Sequence, residues 1–297
     1  RLLPEVRARM QRRHRIETFP YGNFRSQHPD SLVQGWETYD ARPRFGTNWA
    51  ALRGKLAILS EGYSNDPFAR RIEATYWFIR EILSLVASER AKVAELVRAA
   101  AARRPDSIAI RSRLAPPTRQ DVIAELTVED GDGAGPFARR KRTGQFRTIR
   151  MPVFDRFEAT RREARPWGYI LPPALGEVAA LLARQGVVVE RLRDGWTGSA
   201  ERFTVDSVIV EPYVFEGHRT VRVEGAWDAA QPYEAPANAF LVRTDQPLGT
   251  FAGYLLEPAS EDGVATWNLV DRALSRRAPY PIARVREPVR AVTLELE

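Results

Sequence analysis

The feature that most limits how this chain can fold is a change of texture at Pro105. Before it, Phe68, Ile72, Tyr76, Ile79, Leu83 and Val86 recur at helical spacing, which predicts a helix from Pro67 to about Ala102. Asp66 is placed to cap that helix, Pro67 to occupy its first turn and Pro105 to limit it. After Pro105 come short alternating segments, "DVIAELTVED", "RFTVDSVIVEPYVF", "RTVRVEGAW" and "NAFLVRTD", separated by Gly, Pro and Asp; these predict strands. One helix interrupts them, "PPALGEVAALLARQG", with Gly186 as its stop and "VVVERL" as the strand that follows. Residues 1 to 15 predict a further helix, with Leu2, Leu3, Val6 and Met10 on one side. The expected architecture is therefore α/β, with one part over residues 1–105 and a β-rich α+β companion domain over 106–297.

Composition narrows the chemistry. A chain of 297 residues can bury the core of one large domain or two modest ones. No apolar run approaches bilayer-spanning length, so a membrane is not an expected partner. With no Cys there is no thiol nucleophile, disulfide or Cys-based zinc site. The net charge of +7 raises the question of nucleic acid. Basic residues of the long helix are interleaved with Glu and no recognition motif accompanies them, so nucleic acid is not an expected partner either. The three His, at 14, 28 and 218, form no pair at metal-ligand spacing, and no metal site is expected from this chain alone. Neither a Gly-x-Ser-x-Gly elbow nor a phosphate-binding Gly loop is present.

The stretch "LRGKLAILSEGYSNDPFARR" (52 to 71) carries the best catalytic candidate. Residues 55 to 60 predict a buried strand, and Glu61 would stand at its carboxyl end, where α/β sheets hold their ligands. A carboxylate there can act as a general base if burial and a nearby cation set its pKa. It can equally be an ion-pair partner or a helix cap. From Thr18 to Thr47 the chain is rich in Gly, Pro, Asn, Asp and aromatics, which predicts a long ordered loop of functional character.

Residues 39 to 83, "YDARPRFGTNWAALRGKLAILSEGYSNDPFARRIEATYWFIREIL", closely resemble the last catalytic segment of zinc carboxypeptidase-like metallopeptidases, and most of all the bacterial members with C-terminal extensions. "FPYGNF" (19 to 24), "YLLEPASEDGVATWNLVD" (254 to 271) and "YPIARV" (280 to 285) resemble the same members. The resemblance implies that residues 1–105 are the C-terminal part of a mixed-sheet peptidase domain. It also implies hydrolysis of a peptide or amide bond, with Glu61 as the general base for a zinc-bound water. Tyr39 matches the mobile tyrosine that closes over substrate. Arg44 and Asn48 fall on the loop that lines the specificity pocket, where Arg44 could grip a substrate carboxylate in a bidentate fork. Arg44 could also pair with Asp40 or face solvent, and Arg53 is similarly open. The family's zinc ligands and its main substrate-binding Arg would lie upstream of Leu2. The expectation is thus a chain that needs the N-terminal portion of the same protein, and zinc only in the complete protein. The resemblance also implies a secreted or periplasmic location. The alternative from the same residues is a non-catalytic binding module derived from the peptidase fold. In either case Glu257, Asp262 and Trp267 read as turn and packing residues.

Overall fold

The computed structural model describes residues 2–26, 35–64, 66–129 and 140–296. It is a mixed α/β chain with several separate sheets. Two compact units interleave along the sequence. The first is built from residues 1–40, 60–89 and 113–158, the second from 41–59, 90–112 and 159–297. The boundary expected near residue 105 falls inside the 90–112 stretch of the second unit. Among the described residues no helix is long and apolar enough to cross a membrane.

In the first unit, α1 (Leu2–Arg9) runs into a π-helical turn, Met10–His14, that ends when Arg15 takes a left-handed conformation (φ 55°). Its apolar side meets α3 (Phe68–Ser88), burying Val6, Met10, Ile16 and Leu85, with Ala74, Trp77, Phe78 and Ile82 packed around them. Val6 and Met10 are wholly buried, and each such side chain contributes roughly 1.5–3 kcal/mol. Glu81 is buried on the same face of α3. Its carboxylate takes a hydrogen bond from Arg13 Nη1 (3.0 Å) and lies 3.0 Å from His14 Nε2, while the His14 ring stacks on Trp77 at 4.2 Å. The His14 hydrogen bond, more than the nearby arginines, holds the Glu81 carboxyl below its ordinary range.

The stripe that predicted α3 is not the face that meets α1. Phe68 is 70% exposed and Leu83 63%, and Ile72, Tyr76 and Ile79 are exposed with them. The helix is apolar on two opposite sides, and periodicity cannot say which side a neighbour covers. The single helix expected to Ala102 is two: Ser88 Oγ donates back to the Leu85 carbonyl at 2.9 Å, Glu89 leaves helical geometry (φ −103°, ψ 19°), and α4 (Arg90–Ala102) begins anew. Asp66 is not a side-chain cap either, since the capping position is Pro67, without a side-chain hydrogen bond.

The first unit also holds a four-stranded sheet. Its strands are β1 (Asn23–Phe24), β2 (Trp36–Glu37), β4 (Thr118–Glu129) and β5 (Arg140–Phe154), in the order β1-β2-β5-β4. β4 and β5 form a long antiparallel hairpin, and β2 lies parallel to the end of β5. Val122, Met151 and Val153 are buried beneath Phe19, Phe24 and Trp36. Alternate positions of the hairpin, such as Ile123 and Phe146, remain exposed.

The larger core lies in the second unit. β7 (Gly168–Leu171), β8 (Glu190–Leu192), β13 (Phe240–Arg243), β14 (Ala283–Val285) and β15 (Thr293–Glu295) form an antiparallel sheet in the order β14-β7-β13-β8-β15. β7 reads Gly-Tyr-Ile-Leu and is buried throughout, because both faces of this sheet are covered. Tyr169, Leu171, Phe240 and Val242 point into one cluster with α5 (Gly176–Arg184) and α6 (Gly249–Leu256). Ile170, Leu241, Ala283 and Val285 point into the other. The unit also holds two antiparallel pairs, β9 (Trp196–Ala200) with β12 (Gln231–Ala235) and β10 (Phe203–Val210) with β11 (Val221–Trp227). β3 (Ser107–Leu114) pairs with β6 (Phe157–Ala164).

Candidate functional site

Residues 55–60 are not a buried strand. They belong to no ladder among the described residues, and Leu56 and Leu59 are exposed. Strand geometry is completed by a partner's backbone groups, and no described strand runs alongside to supply them. Glu61 therefore stands not at the mouth of a sheet but in an exposed, irregular segment of the first unit. That segment is anchored just beyond it. Arg142 on β5 pairs with both Asp66 and Glu125, and its guanidinium lies 5.6 Å from the Tyr63 ring. The Asp66 carboxylate, followed by Glu125, keeps Arg142 above its ordinary pKa.

Tyr39 belongs to the same unit and follows β2 directly. The parallel pairing of β2 with β5, continued by Thr38 N–H donating to the Phe154 carbonyl at 2.9 Å, fixes where Tyr39 leaves the sheet. Its ring meets Tyr21 edge to face at 5.3 Å. Tyr21, Phe24, Arg25, Glu37 and Tyr39 line an open cleft of about 410 Å³, in which Arg25 Nε lies 3.0 Å from Glu37 Oε2.

Arg44 and Asn48 belong to the second unit. Arg44 does not face solvent; it has a carboxylate partner in Asp262, 218 residues away. Arg44 backbone N–H donates to Asp262 Oδ2 at 2.6 Å, its Nε donates to Oδ1 at 2.9 Å, and its Nη2 lies 2.7 Å from the same oxygen. The side chains are 5% and 1% exposed. Phe215 and Trp267 each lie 4.8 Å from the guanidinium, and Trp267 Nε1 donates to Asp262 Oδ1 at 2.9 Å. A buried carboxylate thus occupies the fork that a substrate carboxylate would have needed. Asn48 lies in α2 (Gly46–Leu52), and its Nδ2 donates to the Arg42 carbonyl at 3.1 Å. Arg53, just after α2, donates to the Gln185 carbonyl at 2.6 Å and lies 5.1 Å from the Phe251 ring.

Asp262, Trp267 and Glu257 are packing residues that also carry buried ion pairs and hydrogen bonds. Glu257 is buried at the centre of the second unit. Its Oε1 receives Tyr169 Oη (2.5 Å) and Arg284 Nε (2.9 Å), and its Oε2 receives Trp227 Nε1 (3.1 Å) and lies 2.5 Å from Arg284 Nη2. Burial pushes the Glu257 carboxyl upward, and the Arg284 charge pulls it back. Nothing in the sequence joins these residues, because the partners are 27 and 88 positions apart.

His14 is taken by Glu81, and His218 Nδ1 lies 3.3 Å from Asn268 Oδ1; His28 lies outside the described residues. Among the described residues no three His, Asp or Glu side chains converge as metal ligands. The described residues do not fit a zinc ion.

Comparison with known proteins bears on this arrangement. Carboxypeptidase 2 of Trichophyton tonsurans is 30% identical over 128 residues, which is 43% of this chain and 23% of that protein. The proteins of the same name from Trichophyton equinum and Trichophyton rubrum are 29% and 27% identical over 129 residues, with the same coverage. Over that stretch the chain is related to carboxypeptidases. The matched stretch spans less than a quarter of the length of these relatives. No family model and no solved structure matches the chain.

Proposed function

We propose that this chain is the C-terminal part of a zinc carboxypeptidase-like hydrolase that cleaves a peptide or amide bond next to a free carboxyl terminus. The similarity to three carboxypeptidase 2 proteins carries this reading. In it, Glu61 takes a proton from the attacking water as the water's oxygen bonds to the scissile carbonyl carbon. Glu61 then returns the proton to the amine that departs as the C–N bond breaks. Tyr39 closes over the substrate beside Tyr21, and Asn48 on α2 serves in substrate recognition. Zinc, its ligands and the arginine for the substrate carboxylate belong to upstream chain. When bound, the metal would polarise the carbonyl and acidify the water.

The two apolar faces of α3 support this division. A helix that buries one side against α1 and leaves Phe68, Ile72, Tyr76, Ile79 and Leu83 exposed on the other suits a middle layer. The second face is the one an upstream sheet would cover.

The test is to incubate the longer native protein with one peptide in two forms, free acid and C-terminal amide. Shortening of the free acid alone, residue by residue from its end, is expected. Equal cleavage of both, or of neither, contradicts the reading.

A further inference from the structure

The stretch from Arg44 to Arg53 is fastened near both ends to the chain that follows residue 159, through the charged side chains of Arg44 and Arg53 and through Leu52, which packs against the core of the second unit. At one end Asp262 holds Arg44 by the backbone N–H and the guanidinium together, with Phe215 and Trp267 against the cation. At the other end Arg53 reaches the Gln185 carbonyl and lies against the rings of Trp49 and Phe251, at 4.6 and 5.1 Å. Between them lies α2, seven residues long and without a wholly buried side chain. A helix this short is marginal by itself, so its position depends on what ties its ends. Gly54, just past Arg53, turns with φ at 70° and brings the backbone against Ala100 on α4, which closes the stretch a third time.

We infer that Asp262 is a positioning residue for the proposed substrate loop: it sets the place of Asn48 and α2 through Arg44 without touching substrate. The β-rich part of the chain then acts in recognition by holding that loop, which gives the buried Asp262–Arg44–Trp267 cluster a role beyond packing. Substrate binding is where the loss should appear, because the loop is proposed to hold the substrate and not the reacting atoms, and loss of such uniform binding raises KM with kcat unchanged. The inference rests on the proposed hydrolase reading.

The experiment measures kcat and KM of the longer native protein on the free-acid peptide, for wild type and three variants. Asp262→Asn removes the charge and leaves Arg44 buried without its partner. Arg44→Met with Asp262→Leu removes the pair together, so that no buried charge is stranded, and leaves only the Arg44 N–H and Trp267 Nε1 without their acceptor. Asp262→Glu keeps the carboxylate and should recover part of the loss. The expected result is a fall of about 10- to 100-fold in kcat/KM for the first two, carried by KM with kcat little changed. The double variant should also show faster hydrogen exchange over residues 46–52. An unchanged KM in a folded double variant overturns the inference and leaves the hydrolase reading standing. Absence of hydrolysis by the wild type overturns that reading, and this inference with it.

Discussion

Glu61→Gln lowers the turnover of the proposed longer enzyme by about 10²- to 10⁴-fold and leaves KM and thermal stability close to wild type. Gln keeps the size and one hydrogen-bonding oxygen of Glu but cannot accept the proton of the attacking water. The loss should therefore fall on kcat, the mark of an interaction made only in the transition state. Stability should hardly move, because Glu61 is exposed and the segment around it is anchored through Asp66 and Arg142 instead. Steady-state kinetics on the free-acid peptide, with a thermal melt of the same preparations, separates the two effects. Turnover within about threefold of wild type would remove Glu61 from the role of base, since a general base contributes far more than that.

The second large effect is on stability. Glu257→Gln should destabilise the second unit by about 3–5 kcal/mol, the loss typical when one partner of a buried ion pair is removed. Both carboxylate oxygens face donors: Tyr169 Oη and Arg284 Nε on one, Trp227 Nε1 and Arg284 Nη2 on the other. Whichever way the Gln amide is turned, its NH₂ meets N–H or O–H groups and the Arg284 charge loses its nearest counterion. Arg284 is itself buried, with Trp227 against its guanidinium at 4.0 Å, so water cannot take the place of the carboxylate. Glu163, 3.1 Å from Arg284 Nη2, offsets part of the loss and places the expected value toward the lower end. Tyr169→Phe removes one donor and leaves the ion pair intact, so it should cost only about 1–3 kcal/mol. Urea unfolding followed by tryptophan fluorescence gives both values as midpoint shifts at constant slope. Equal, small shifts for the two variants would mean that Glu257 is not held as a charged acceptor.

What could be read from the sequence was the part decided locally. The alternating segments became β4, β10, β11 and β13, and the run before Gly186 became α5, because side-chain alternation and a glycine stop act within a few residues. Gly186 does take the left-handed φ, 81°, that such a stop requires. What could not be read depends on partners far away. The stripe from Phe68 to Leu83 announced a helix correctly but not the side that α1 covers, because Trp77, Phe78, Ile82 and Leu85 make a second apolar face opposite it. Residues 55–60 have the composition of a strand, yet a ladder needs a neighbour. Asp262 could not be assigned to Arg44 by spacing, nor Glu257 to Arg284 and Tyr169, because folding brings them together from distant positions. Tyr39 was singled out through family likeness alone, whereas Glu61 was singled out first as a carboxylate at the end of an expected strand, which the chain does not form.

Catalysis in the proposed enzyme is divided, with the base on this chain and the metal held by chain outside it. Elemental analysis of zinc on the purified, dialysed 297-residue chain, beside the longer native protein, tests that division most directly. The account predicts no zinc on the 297-residue chain, even after metal is added back, and about one zinc per molecule of the longer protein. About one zinc bound to residues 1–297 alone would contradict it, and would place the metal ligands within those residues.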